Sequence, residues 1–105
     1  MKRLKPFLFD LQMRMAAPRM DPRRKQVVSE ARGRVLELGV GTGQNLRFYG
    51  PGVSVVGIEP DAGMLGRAIG RRDNLPGKVE LIAATGEALP FKDGMFDEVV
   101  VTLVL

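Results

Sequence analysis

Two glutamates and three glycines carry the strongest chemical signal in this chain. Glu37 lies in the apolar run Val35-Leu36-Glu37-Leu38, two residues before the loop Gly39-Val40-Gly41-Thr42-Gly43. Glu59 follows the apolar run Val53 to Ile58, twenty residues after Gly39. A strand that runs into a glycine loop and opens a helix is a ligand turn of open α/β sheets, where ligands sit outside the carboxyl ends of the strands. Glycines let a ligand approach the backbone closely, and a helix start leaves N–H groups free to point at it. An acid about twenty residues further on suits the hydroxyls of a ribose.

The loop narrows the choice of ligand. A phosphate loop needs Gly-x4-Gly-Lys-Ser/Thr, and no such segment occurs. A dinucleotide fingerprint needs Gly-x-Gly-x-x-Gly; Gly39 and Gly41 fit, but position 44 is Gln and the third glycine falls one residue early, at Gly43. A carboxylate at Glu37 repels a pyrophosphate on the loop and favours a cationic ligand, because a partly buried carboxylate is costly without a partner. Loop, cationic ligand end and ribose acid together point to S-adenosylmethionine, whose amino group and sulfonium are cationic and which has a ribose and no phosphate. Either glutamate alone is equally well read as a solvated strand-end acid.

Composition removes other chemistries. The 105 residues include no cysteine and no histidine. Disulfides, thiolate zinc sites, Cys nucleophiles and Ser-His-Asp arrangements are therefore excluded, and no metal set is expected. Residues 1–34 hold ten bases and three acids, a net of +7, while residues 35–105 have a net of −3. The basic third suggests either a surface for anionic partners, including peripheral membrane contact, or a solvated lead-in. No apolar stretch reaches the ~20 residues of a membrane-spanning helix. Met1 to Leu11 does not read as a signal peptide, because Asp10 interrupts its short apolar stretch. A cytoplasmic location is the default expectation.

The elements that must position these residues follow from the pattern. Phe7, Leu8, Phe9, Leu11, Met13 and Met15 suit a short amphipathic helix that Pro18 ends. Asp21-Pro22 starts a second helix, running to Arg32 and closed by Gly33. Strands are expected at 34–38, 53–58, 78–83 and 96–105, with helices at 44–49 and from 61 to about 72. Continuous apolar runs such as Val99-Val100-Val101-Thr102-Leu103 belong to parallel strands covered on both faces. The expected fold is α/β, Rossmann-like, three-layer αβα with a parallel sheet. Residues 1–32 form a basic helical lead-in and 33–105 a cofactor-binding half.

At this point the sequence resembles a known family. Glu37-Leu38-Gly39-Val40-Gly41-Thr42-Gly43 is similar to the first motif of class I S-adenosylmethionine-dependent methyltransferases. Val56-Gly57-Ile58-Glu59-Pro60-Asp61-Ala62-Gly63-Met64-Leu65 resembles the segment around their second strand. Gly86-Glu87-Ala88-Leu89-Pro90-Phe91, with Asp93-Gly94-Met95-Phe96-Asp97, resembles their stretch before strand four. The match covers roughly residues 33–105, in order.

The resemblance implies strand order 3-2-1-4, with the C-terminal strands missing and the edge of strand four open to self-association. It implies that Glu37 and the backbones of Gly39, Gly41 and Gly43 hold the methionine end. Glu59 takes the ribose hydroxyls, and Pro60 and Met64 lie near the adenine. Gly86 or Glu87 meets the adenine amino group, where many relatives have an acid at the position of Thr85. Thr102 and Leu103 face the cofactor. Phe9-Asp10 resembles an aromatic-acid pair that covers the cofactor in many relatives. Leu89, Phe91 and Phe96 are packing residues. The end Thr102-Leu103-Val104-Leu105, with the basic aromatic N-terminus, resembles methyltransferases acting on lipids or small molecules, including phosphatidylethanolamine N-methyltransferases.

Methyl transfer is an in-line displacement that depends mainly on alignment, and no catalytic residue is assigned. The expected activity is methyl transfer from S-adenosylmethionine, with S-adenosylhomocysteine as product, to a small-molecule or lipid acceptor. The alternative is a non-catalytic cofactor-binding module or half-subunit completed by a partner chain. A nicotinamide-dependent protein fits less well because of Glu37 and Gln44, and a nucleic-acid partner is not expected.

Overall fold

The computed structural model describes residues 12–16, 22–87, 89 and 91–102, with backbone alone for 12–16, 22, 23 and 102. Five strands form one sheet: β1 (Gln12–Ala16), β2 (Arg34–Leu38), β3 (Ser54–Ile58), β4 (Lys78–Ile82) and β5 (Glu98–Thr102). Helix α1 (Pro22–Glu30) precedes β2, a single 3-10 turn (Leu46–Phe48) links β2 to β3, and helix α2 (Ala62–Arg72) links β3 to β4. The strand order is β1-β5-β2-β3-β4, and every pairing is parallel. The four strands β4-β3-β2-β5 therefore stand in the expected 3-2-1-4 order.

The fifth strand corrects the sequence reading. Residues 12–16, expected to be helical, pair with β5 along its length, from Gln12 opposite Glu98 to Ala16 opposite Thr102. Leu11, Met13 and Met15 alternate as a strand does, and the unpaired N–H and C=O groups of a sheet edge offer a ladder that a lone short helix cannot match. The edge of strand four is thus paired, and the open edge expected to drive self-association is not there. The other differences are ones of extent. Residues 44–49 make one 3-10 turn instead of a helix, α1 ends at Glu30, and the last strand begins at Glu98.

Alternation on β2 and β5 sends side chains to both faces of the sheet. On one face Leu36, Leu38, Ile58 and Val99 pack with Leu89, Phe91 and Phe96. The two phenylalanine rings meet edge to face at 5.0 Å. On the other face Val35, Val55 and Val100 pack with Val28 and Ala31, against the flank of Phe48 and Tyr49. Val35, Leu36, Val99 and Val100 are completely buried, each contributing about 1.5–3 kcal/mol. Right-handed crossovers account for this division. Steps from β1 towards β4 keep their connections on the α1 face, and the return from β4 to β5 brings Leu89 to Phe96 over the other. Among the described residues no helix covers that second face, so the third layer of the expected sandwich is an irregular, phenylalanine-rich segment.

Candidate functional site

Because the sheet is parallel, the carboxyl ends of all its strands lie along one edge. The loop Gly39–Gly43 leaves β2 there, Glu59 to Met64 leave β3, Thr85 to Glu87 follow β4, and Thr102 ends β5. The sequence-assigned cofactor residues in the described part of the chain therefore converge on one edge.

Glu59 is the best-defined group of that edge. It is the first residue after β3 and its carboxylate is held from two sides. One oxygen accepts the Gly41 N–H at 2.8 Å, the other the Asp61 N–H at 3.0 Å. Asp61 in turn caps α2, its side chain accepting the Met64 N–H at 2.9 Å. The glycine loop and the start of α2 thus fix Glu59 in place, with lone pairs left over for a hydroxyl-bearing ligand. Pro60 and the half-exposed Met64 flank it on the surface.

The three loop glycines do different jobs. A Cβ on Gly41 would meet nothing within 4 Å, so the space before this residue is open, and its φ of +62° favours glycine. A Cβ on Gly43 would press on the backbone and side chain of Ala68 in α2. Gly43 thus permits close contact between loop and helix, a packing reason for glycine at this position that is independent of the dinucleotide spacing. The N–H groups are all engaged by the protein: Gly39 with the carbonyl of Ile58 at 3.0 Å, Gly41 with Glu59, Gly43 with the carbonyl of Val40 at 3.2 Å. A phosphate needs such donors free. A cationic ligand needs acceptors instead, and here the carbonyls of Gly39 and Gly41 and the carboxylate of Glu59 are what the edge offers, the Gly43 carbonyl being taken by the Leu46 N–H at 3.2 Å.

Glu37 occupies a different place from the one expected. On β2 it shares the α1-facing side of the sheet with Val35, and it is completely buried. Tyr49 donates its hydroxyl to one carboxylate oxygen at 2.6 Å, and the Asn45 amide donates to the other at 3.4 Å. Arg24 of α1 bonds the far side of that amide, its Nε 2.5 Å from Asn45 Oδ1. Burial pushes the Glu37 carboxyl up from 4.5 to about 7, against the opposing pull of Tyr49, Asn45 and Arg24. The Tyr49 hydroxyl is raised too, by burial and then by the negative charges of Glu37 and Glu98. A direct contact between Glu37 and a ligand's methionine end is therefore replaced by an internal cluster. Asn45, Tyr49 and Arg24 were not singled out in the sequence; Tyr49, the one tyrosine of the chain, was the available signal.

The remaining assignments are placed as follows. Thr85 and Glu87 are exposed and Gly86 is partly buried, forming a turn after β4. Leu89, Phe91 and Phe96 are core residues, as expected. Phe9, Asp10 and Leu103 lie outside the described residues, as does the side chain of Thr102. A cavity of about 560 Å³ bounded by Tyr49, Val53, Val55, Leu75 and Val79 opens near the amino ends of β3 and β4, away from the glycine loop.

Comparison with known proteins fits this geometry. A family model described as a methyltransferase domain matches residues 35–105. The human thiol S-methyltransferase TMT1B is 28% identical over 111 residues, covering 95% of this chain and 46% of that protein. The phosphatidylethanolamine N-methyltransferase of Cereibacter sphaeroides is 42% identical over 84 residues, covering 75% of this chain and 41% of that protein. Among solved structures, the YcgJ protein of Bacillus subtilis shares the fold with a TM-score of 0.68 at 25% identity, over 77% of this chain and 38% of that one. The chain spans less than half the length of these relatives. The matched residues and the parallel sheet with its glycine turn place the chain in the class I S-adenosylmethionine-dependent methyltransferase family, of which it represents the N-terminal part.

Proposed function

We propose that the chain binds S-adenosylmethionine along the carboxyl edge of its sheet and supplies the cofactor half of a methyltransferase acting on a small-molecule or lipid acceptor. One observation carries this reading: the N–H groups of all three loop glycines are engaged within the protein, and the loop closes on the carboxylate of Glu59 through Gly41. That arrangement leaves acceptors for a cation and for a ribose, and no set of donors for a phosphate. The same observation counts against a nicotinamide dinucleotide.

The residues divide the work by position. Glu59, fixed by the Gly41 and Asp61 N–H groups, accepts the ribose hydroxyls. The carbonyls of Gly39 and Gly41 face the cationic methionine end. Pro60 and Met64 border the adenine, with Gly86 or Glu87 at its amino group, and Thr102 closes the edge from β5. When bound, the cofactor supplies an electrophilic methyl group; the chain's part is to orient it and hold it away from water. The thiol and amine named for the two relatives support a small-molecule or lipid acceptor. A cytoplasmic setting and contact of residues 1–34 with anionic lipid belong to the same reading, and flotation with phosphatidylglycerol vesicles tests the contact. Titration calorimetry with S-adenosylmethionine tests the core claim. Binding that weakens in Glu59→Ala is expected; a folded chain that gives no binding heat removes the cofactor reading.

A further inference from the structure

Glu37 is a completely buried acid that the proposed function leaves without a direct task. It sits on β2 two residues before Gly39, completely enclosed. Both groups that hydrogen-bond it are neutral donors, Tyr49 and Asn45. No charged group bonds it, although the positive charge of Arg24 pulls on it through space. From α1, Arg24 reaches Asn45 Oδ1 and, at 3.5 Å, the Gln44 amide oxygen. From β5, Glu98 adds negative potential at Tyr49. A carboxylate so placed lacks a formal counter-charge in contact with it, and in such a setting the proton is the cheapest partner.

We infer that Glu37 is the charge-sensing group of the cofactor site: it holds a proton while the glycine loop is empty and releases it when a cationic ligand occupies the loop. This rests on the proposed cofactor reading and adds to it. The Gly39–Gly43 loop begins two residues after Glu37, and the carboxyl group is completely buried, where a nearby charge is weakly screened. The ligand's cation then stabilises the carboxylate that Tyr49 and Asn45 are already oriented to receive. The O–H bond of the carboxyl breaks, the proton passes to the buffer, and one positive charge at the site replaces another. Because burial sets the free group near neutrality, the exchange falls in the physiological range. Affinity for the cation should rise with pH through about 7 and level off above it.

Calorimetric titration of the whole chain with S-adenosylmethionine at pH 7, in phosphate and in Tris, reads the proton count directly. The ligand's own amino group can exchange a proton, so the readout is the difference between the wild type and Glu37→Gln, which keeps the shape and, like a protonated carboxyl, presents one acceptor and one donor. About half a proton more should be released by the wild type, and the exposed Glu80→Gln should match the wild type. Binding with the same proton count in wild type and Glu37→Gln overturns the inference while leaving the cofactor reading standing. No binding by the folded chain overturns both. Should Glu37→Gln not fold, carbon NMR of the wild-type glutamate carboxyls decides instead. A carboxyl that titrates near 7 and moves at least one pH unit lower with ligand supports the inference; one that does not move rejects it.

Discussion

Glu37 and Glu59 are the same residue type at nearly the same place, the carboxyl ends of adjacent parallel strands, yet they behave oppositely. Glu59 stands one residue past β3, where the chain has left the sheet, and two backbone N–H groups hold its carboxylate. Glu37 is still within β2, so alternation turns it into the layer under α1, where only Tyr49 and Asn45 reach it. Two residues of offset relative to the strand end, one inside it and one beyond it, separate a carboxylate at the sheet edge from an internal one. Position along a strand, and not residue type, decides which acid can meet a ligand.

Breaking the internal cluster should have the largest effect. Glu37→Ala removes a buried side chain and strands the Tyr49 hydroxyl and the Asn45 amide, which should cost roughly 3–4 kcal/mol in chemical denaturation. Next comes pH. A carboxyl raised from 4.5 to about 7 on folding binds its proton more tightly in the native chain. Its contribution is therefore intact below 4.5, falls as pH rises to about 7, and is flat above. That loss is roughly 3 kcal/mol between pH 4.5 and 7, and Glu37→Gln should remove this component from denaturation curves taken at several pH values.

The ligand-facing partner should respond differently. Glu59→Ala frees two N–H groups at the edge, where water can replace them, so its stability cost should stay near 1 kcal/mol. Its cofactor affinity should fall by roughly tenfold, equivalent to about 1.4 kcal/mol, in calorimetric titration. The smallest effect is expected for Tyr49→Phe, about 1 kcal/mol. It should also raise the Glu37 carboxyl further, since the lost hydroxyl favours the ionised form. If Glu59→Ala proved as destabilising as Glu37→Ala, the distinction between the two acids would collapse.

What the sequence revealed and what it concealed divides between features written in residue type and spacing and contacts that only the folded chain makes. The glycine loop and Glu59 were legible because residue types at a fixed spacing announce them, although the bond that joins them spans eighteen residues. The apolar run at 99–105 announced a strand buried on both faces, and Val99 and Val100 fill opposite faces of the sheet. By contrast, β1 was misread as helix because its partner lies at the far end of the described chain. The surroundings of Glu37 were hidden too. Residues 44–49 turn as a 3-10 segment instead of a helix, and nothing in their types marks Asn45 and Tyr49 as partners of a carboxylate on the preceding strand. The close approach of Gly43 to Ala68 likewise has no signature in its own loop.

The pairing of β1 with β5 also sets an order of assembly. During synthesis residues 12–16 emerge before any other described strand, while their partner, residues 98–102, emerges after all the rest. The ladder between them closes a loop of most of the chain, an entropic cost that grows only slowly with length but delays folding. Until β5 has left the ribosome, the earliest described strand has no mate in its own sheet. The strand made first is thus among the last to be secured, and chaperones have their longest access to this end of the molecule.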